Sequence, residues 1–311
     1  MSDIDWGVQG LGCMGMSEFY GDTDPAEARA TLALALDCGV RMFDTADMYG
    51  LGANEEFLAP FVRAHRQRVL IATKFGYTRT AANPDDWGLD NRPAYIRGAV
   101  ERSLKRLGVD TIDLYYMHRR QADVPIEDSV GAMADLVAAG KVRWLGLCEV
   151  SADELRAAHA VHPISALQSE WSVFSRGLEG AVLDVARGQG TAVVPFAPLG
   201  RGLLTGAALA LDAGDARRHF PRFQDGNRDA NQALAAQVAT LAAGRGISAA
   251  QMALAWLYTR AEALNVKVVP IPGTRRRSRL SENLQAAAIR LNDAEMAALN
   301  QLAASVRGVG V

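Results

Sequence analysis

Along the chain, short runs that are apolar at successive positions alternate with longer stretches where apolar residues return every three or four positions. Runs rich in Val, Ile and Leu suit strands covered on both faces, the pattern of a parallel sheet. Eight such runs predict strands at Val8 to Leu11, Arg41 to Asp44, Val69 to Thr73, Ile112 to Met117, Val142 to Leu147, Ala166 to Ser169, Ala192 to Phe196 and Val266 to Val269. Helical patterns lie between them. The clearest starts at Asp24, an N-cap carboxylate with Pro25 in the first helical position, Glu27 in the first turn and Gly39 beyond the end. Further helices are predicted from Arg92-Pro93 to Leu107, with Gly108 as the stop, and over Leu178 to Gly188, Asn231 to Ala243, Ser248 to Arg260 and Leu280 to Ile289.

No linker, low-complexity tract or compositional break divides the chain, so eight strands alternating with helices predict one α/β unit over residues 1–311, a (β/α)8 TIM-type barrel. An open doubly wound sheet would show a glycine-rich turn leading into a helix. Gly10-Leu11-Gly12-Cys13-Met14-Gly15 spells G-x-G-x-x-G, but the Ser17-Glu18-Phe19-Tyr20-Gly21 that follows opens no helix. With 49% hydrophobic residues the chain can bury a large core. Thirty-three Lys and Arg against 35 Asp and Glu, a net charge of -2, leave no global footprint for nucleic acid or an anionic membrane. No apolar stretch is long enough to span a bilayer, and Met1 to Trp6 lacks the basic and apolar regions of a signal peptide. Three cysteines, an odd number, make no disulfide framework and point to a reducing cytoplasm. His65, His159, His162 and His219 show no metal-ligand spacing, so no metal site is expected.

In a barrel of this type the chemistry sits where strands end and the following loops begin. Asp44 ends the second predicted strand and Tyr49 follows in Thr45-Ala46-Asp47-Met48-Tyr49-Gly50; Lys74 ends the third, and His118 ends the fourth. Singly, each has a bland reading as a turn former, a loop aromatic, a solvated cation or a structural histidine. Together at one rim they form a chemical set. A phenol has an unperturbed pKa of about 10 and is a poor acid at neutral pH. A neighbouring ammonium favours the phenolate and is expected to lower that pKa, easing proton donation to a developing alkoxide. Asp44 would hold Lys74 charged and oriented, and a neutral His118 could donate to a carbonyl oxygen. The set suits hydride delivery to a carbonyl carbon with proton delivery to its oxygen, and the hydride must come from a cofactor.

These residues sit in stretches that resemble the aldo-keto reductases, a family of NAD(P)H-dependent (β/α)8-barrel carbonyl reductases. The stretches are GLGCMGMSEFYG (Gly10 to Gly21), FDTADMYG (Phe43 to Gly50), ATKF (Ala72 to Phe75), IDLYYMHR (Ile112 to Arg119), GKVRWLGLCE (Gly140 to Glu149), PLGRGLLTG (Pro198 to Gly206) and IPGTRRRSRLSEN (Ile271 to Asn283), in the family's order over nearly the whole chain. The resemblance implies Tyr49 as general acid, Lys74 and Asp44 as its tuners and His118 as substrate orienter. The first stretch is most similar to a microbial and plant branch that reduces aldehydes and ketones, pyridoxal-like and plant-alkaloid aldehydes among them.

The same resemblance implies a cofactor site. Gln168 and Cys148, the latter where relatives usually carry Ser, would anchor the carboxamide. Phe196 would stack on the nicotinamide, and Leu199, Gly200, Arg201 and Gly202 would lie over the pyrophosphate, where glycines let backbone N–H groups approach. Gly273, Thr274, Arg275, Arg279, Glu282 and Asn283 would meet the adenosine phosphate. Arginines at 275, 276, 277 and 279 near a helix start are disfavoured by the macrodipole unless an anion sits there, which favours NADPH over NADH. Residues 206–230 are expected to form a lid-like loop. Phe19, Tyr20, Trp87 and Trp171 could line the pocket with that loop's aromatics. Only Met1 to Gly7 precede the first strand, so the hairpin that plugs the barrel base in many relatives is expected to be missing. The expected partner is a small carbonyl compound, with a homo-oligomer left open. Two other readings carry less weight: a nicotinamide-nucleotide-sensing auxiliary subunit, for which no docking insertion is visible, and a phosphate-ester isomerase, which needs a carboxylate where Tyr49 stands. Cys148 as a nucleophile is also disfavoured, with no histidine near it in sequence.

Overall fold

Among the described residues, seven parallel strands run in sequence order, each hydrogen-bonded to the next. They are β1 (Leu11–Gly12), β2 (Met42–Asp44), β3 (Leu70–Phe75), β4 (Ile112–Met117), β5 (Val142–Cys148), β6 (Ile164–Glu170) and β7 (Ala192–Phe196). The computed structural model describes residues 4–207, 211 and 215–310. Helices α1 (Pro25–Asp37), α2 (Ala53–Ala64), α3 (Pro93–Leu107), α4 (Ile126–Ala138), α5 (Ala152–Val161) and α6 (Ala181–Gln189) alternate with the strands; α7 (Asp225–Gly244), α8 (Ala249–Ala263), α9 (Arg277–Gln285) and α10 (Asp293–Ala303) follow.

The eighth position is filled by residues 267–273, which close the ring between β7 and β1. The Val193 N–H donates to Lys267 O at 2.8 Å, the Val269 N–H to Val193 O at 2.9 Å, the Ile271 N–H to Pro195 O at 3.0 Å, and the Gly10 N–H to Pro270 O at 2.9 Å. Pro270 and Pro272 have no N–H to give, which leaves isolated bridges where a continuous ladder would otherwise form. The closure therefore reaches Gly273, beyond the predicted end at Val269. It also explains two glycines of the G-x-G-x-x-G run, Gly10 and Gly12. A Cβ on Gly10 would lie 2.8 Å from Ile271 Cγ2, and one on Gly12 would lie 2.9 Å from Ile271 O. These glycines admit the last strand against the first.

Strands β4 and β7 have the predicted ends, and the other predicted strands hold with shifted ends. Val8 is 65% exposed below the barrel, so β1 starts only at Leu11. Strand β3 extends through Lys74 to Phe75, and β6 starts at Ile164. Helix α7 begins at Asp225 where the pattern predicts Asn231, and α9 begins at Arg277 where it predicts Leu280. Helices α2, α4, α5 and α10 are absent from the sequence reading. Two of them carried a readable signal, because Ser151 with Glu154 and Asn292 with Glu295 each form a reciprocal capping box. Helix α2 hides behind Pro60 in its own interior, and α4 has no side-chain cap.

No strand precedes β1 among the described residues 4–10. Trp6, 4% exposed, packs with Ile4 and Trp144 into the inner cluster that contains Met42, Leu70, Leu114 and Val269. Met1 to Asp3 lie outside the described residues. No described helix is long and apolar enough to cross a membrane.

On the helical side, Glu179 ties α6, α8 and the β6 loop together. It accepts from Arg176 at 2.6 Å, Arg260 at 2.7 Å and Trp171 Nε1 at 3.2 Å. Burial alone would raise its pKa, but the three donors outweigh it and hold the carboxyl at about 2. A carboxyl depressed in the folded state contributes stability that is complete above its unfolded pKa of about 4.3 and is lost as pH falls toward 2. Glu179→Gln is expected to lower Tm at pH 7 and to flatten the fall in Tm across this acid window. A thermal melt series from pH 7 to 2.5 that gives parallel curves for the two proteins would remove Glu179 from the account.

Candidate active site

The chemistry is held by three adjacent strand ends and one tight turn. Asp44 ends β2, Lys74 is the fifth residue of β3, His118 follows β4, and Tyr49 opens a 3-10 turn directly after β2. Parallel pairing sets their heights, with Asp44 opposite Ala72 and Lys74 opposite Tyr116. The result brings all four predicted residues to one end of the barrel.

The Lys74 side chain is fully buried. Its Nζ donates to Asp44 Oδ1 at 2.5 Å, to Thr45 O at 2.7 Å and to Tyr49 Oη at 3.3 Å. An ammonium has three N–H donors, and all three are committed. Because Tyr49 Oη accepts from Lys74, the phenol's own hydrogen points away from the ammonium. The second oxygen of Asp44 accepts from Gln168 Nε2 at 2.8 Å. The His118 ring meets the Tyr49 ring edge to face, with centroids 5.8 Å apart, and its buried Nδ1 has no partner.

Burial would strip the Lys74 ammonium of its proton, but the charge on Asp44, then Tyr49, outweighs it and holds the pKa above the ordinary lysine value. Burial likewise lifts the Asp44 carboxyl, against the pull of Lys74 and Gln168. With every N–H of Lys74 and both oxygens of Asp44 engaged, the pair is an ion pair. Tyr49 corrects one expectation. Its pKa is raised, because burial exceeds the lowering influence of Lys74, so the resting phenol keeps its proton. His118 is driven well below its ordinary value by burial, then by Lys74 and Arg119, and is a neutral imidazole. Burial pushes the Cys148 thiol up to about 12, which removes the nucleophile reading.

The predicted cofactor residues lie along the same rim and beyond it. Cys148 ends β5 opposite Gln168 in β6, and Phe196 ends β7 half-buried, with Arg119 5.8 Å from its ring centre. Leu199 leads into a run of positive φ at Gly200 (57°), Arg201 (54°) and Gly202 (101°), a conformation that glycine adopts freely. Arg201 stacks over Phe220 at 4.3 Å and donates to Gly310 O at 3.0 Å. Within residues 206–230, 208–210 and 212–214 lie outside the described residues; the described part turns through Ala216–His219 and Pro221–Phe223 into α7.

Gly273 and Thr274 precede α9, and Asn283 is buried on it beside the half-buried Glu282. Since α9 starts at Arg277, Arg277 and Arg279 occupy its first turn, Arg276 is its cap and Arg275 precedes the cap. They are not equivalent. Arg275 braces the loop after β1, donating to the carbonyls of Gly15, Tyr20 and Gly21 and to Thr23 Oγ1. Arg277 pairs with Glu27 at 2.8 Å. Arg276 and Arg279 have no carboxylate within ion-pair distance among the described residues.

Two aromatic assignments change. Trp171 is fully buried, edge-on to Trp256, and belongs to the helical core. Tyr77, which the sequence reading passed over, sets its ring edge to face against His118 at 5.1 Å. Its position two residues beyond the end of β3 was the available signal. No three His, Cys, Asp or Glu among the described residues could hold a metal ion.

A model of the aldo/keto reductase family matches residues 10–304. The aldo-keto reductase yakc [NADP(+)] of Schizosaccharomyces pombe (strain 972 / ATCC 24843) is 40% identical over 311 residues, covering 97% of this chain and 89% of that protein. The glycerol dehydrogenase AKR11B4 from Gluconobacter oxydans superposes with a TM-score of 0.83 at 29% identity, over 96% of this chain and 92% of that one. An aldo/keto reductase from Klebsiella pneumoniae in complex with NADP and acetate gives a TM-score of 0.72 at 26% identity, over 95% and 90%.

Removing one partner of a buried ion pair leaves an uncompensated charge, at a cost of about 3–5 kcal/mol. Lys74→Met is expected to destabilise by that order, and the double variant Asp44→Asn/Lys74→Met by clearly less. Urea unfolding that finds the single and double variants equally stable would contradict the ion-pair assignment.

Proposed function

The chain belongs to the aldo/keto reductase family, and from that premise we propose that it reduces an aldehyde or ketone to an alcohol with NADPH, using Tyr49 as the general acid. The observation that carries this reading is the Tyr49 hydroxyl held at 3.3 Å by Lys74 Nζ, with Asp44 behind it and neutral His118 beside it. NADPH, when bound, supplies the hydride. The protein's own work is at the carbonyl oxygen. An N–H of neutral His118 orients that oxygen and offsets its growing charge. Tyr49 Oη releases its proton to it, and the ammonium of Lys74 stabilises the phenolate that remains.

The residues fit the cofactor. An α9 N-terminus with two cations, Arg276 and Arg279, that form no ion pair among the described residues would hold an anion by both its backbone N–H groups and its charge. The Schizosaccharomyces pombe relative, named for NADP(+), and the Klebsiella complex with NADP support the same choice. Phe196 offers an aromatic face on which the nicotinamide would stack, and Cys148 and Gln168 would hold its carboxamide. The described residues between Gly206 and α7 would cover the cofactor, and the segment from Gly10 to Gly21 supports placement with the aldehyde-reducing branch. Three free cysteines, two of them buried, suit a reducing cytoplasm.

Mixing protein, NADPH and 4-nitrobenzaldehyde is expected to consume nicotinamide absorbance, and Tyr49→Phe is expected to lower kcat by about two to four orders of magnitude. Full activity in Tyr49→Phe would exclude the role. The pH profile gives a second check. His118 is already neutral through the physiological range and Tyr49 is protonated there, so reductive kcat is expected to show no acid limb near pH 6.5. A limb at that pH that vanishes in His118→Asn would show a charged imidazole at work instead.

A further inference from the structure

We propose that Glu18 is a positioning residue that holds the Tyr49 turn and an aromatic wall in one frame, so that this mouth favours flat aromatic carbonyl compounds; the inference rests on the reductase reading and deepens it by naming a substrate class. Glu18 lies on the loop after β1. Its Oε2 accepts the N–H of Gly50, the residue next to Tyr49, at 2.8 Å. Its Oε1 accepts from Arg79 at 2.9 Å. One carboxylate therefore joins the acid's turn to the β3–α3 loop.

Arg79 is a poor surface cation. Its side chain is only 7% exposed, its Nε donates to Pro84 O at 2.7 Å, and its guanidinium lies 4.2 Å over the Trp87 ring and 5.9 Å from the Phe19 ring. Phe19 holds a φ of 77°, a backbone conformation that bulky residues rarely adopt, and strain of this kind clusters at functional sites. The β3–α3 loop folds back on itself through antiparallel bridges at Tyr77–Leu89 and Thr80–Asn83. From it an edge-to-face series runs inward: Trp87 to Tyr77 at 5.9 Å, Tyr77 to His118 at 5.1 Å, His118 to Tyr49 at 5.8 Å.

This series starts outside the barrel and ends on the proton donor. Trp87 remains 52% exposed although it is stacked on Arg79, a large apolar face that packing leaves uncovered. A carbonyl oxygen at Tyr49 and His118 directs an attached ring outward along Tyr77 and Trp87, where aromatic pairs gain beyond simple burial. A short aliphatic aldehyde reaches the acid without touching that wall. Glu18 thus acts on chemistry through Gly50 and on selectivity through Arg79.

Steady-state kinetics with NADPH compare 4-nitrobenzaldehyde and propanal on the wild type, E18A, E18Q and R79M. E18A is expected to lower kcat about tenfold with both aldehydes, because the Gly50 N–H loses a charged acceptor. E18Q keeps an acceptor oxygen and is expected to recover most of that kcat, yet to raise KM for 4-nitrobenzaldehyde about fivefold with a much smaller change for propanal. R79M is expected to show the same KM split. Equal KM changes for the two aldehydes, or equal kcat in E18A and E18Q, overturn the proposal; should E18A fail to fold, E18Q and R79M decide through the split. If the wild type reduces neither aldehyde, the reductase reading fails by itself. Hydrogen exchange then tests the link: faster exchange over 77–90 in E18Q, and at Gly50 in E18A, supports it, and unchanged exchange overturns it.

Discussion

One buried ammonium governs this barrel's working end. Burying an unpaired charge costs several kcal/mol, so Lys74 can lie inside β3 only if every donor it carries is met. Asp44, the carbonyl of Thr45 and the hydroxyl of Tyr49 meet them. Those three partners lie on β2 and on the turn after it, so satisfying the lysine also fixes the register of that turn against β3. The Asp47 N–H donating to Lys74 O at 3.1 Å repeats the constraint from the backbone side. Stability and chemistry therefore share one geometry: the turn cannot wander without leaving a charge unpaired in the core.

The electrostatics of Tyr49 follow from that arrangement, and they run against the simplest expectation. A phenol beside an ammonium should be more acidic than usual, yet here burial prevails and the pKa rises. A general acid has to arrive protonated, and burial provides for that. Lys74 matters once the proton has left, because a phenolate in this site then faces a cation already oriented toward it. Its contribution is greater for the state after transfer than before, the differential stabilisation that catalysis requires.

The rim was legible because it obeys a rule of position. Asp44, Lys74 and His118 stand at the ends of apolar runs, and a parallel barrel gathers such ends into one place. The glycines of GLG were legible as unusual but not as a closure device, since Ile271 is more than 250 residues away in sequence and only the closed ring brings it near. Helices α5 and α10 announced themselves by capping boxes, whereas α2 contradicts its own Pro60 and is held by packing of Leu58 and Val62. The least legible link is Glu18 to Arg79, two charges 61 residues apart on different loops. Neither spacing nor periodicity marks such a pair, because loop–loop contacts depend on how the barrel sets its strand ends.

The far end of the site turns on three residues of register. A helix starting at Leu280 would have left the arginines on a preceding loop, free to disperse into solvent. Starting at Arg277 instead, α9 places cations against the positive end of its own dipole, where they destabilise it. Glu27 pairs with Arg277, and Arg275 is engaged by loop carbonyls, but Arg276 and Arg279 form no ion pair among the described residues. A fold that keeps two such cations at a helix N-terminus carries a local cost that a bound phosphate would reverse, since the anion meets both the N–H groups and the guanidinium charge. That asymmetry, more than the number of arginines, is the physical argument for a cofactor with an additional phosphate at this end of the barrel.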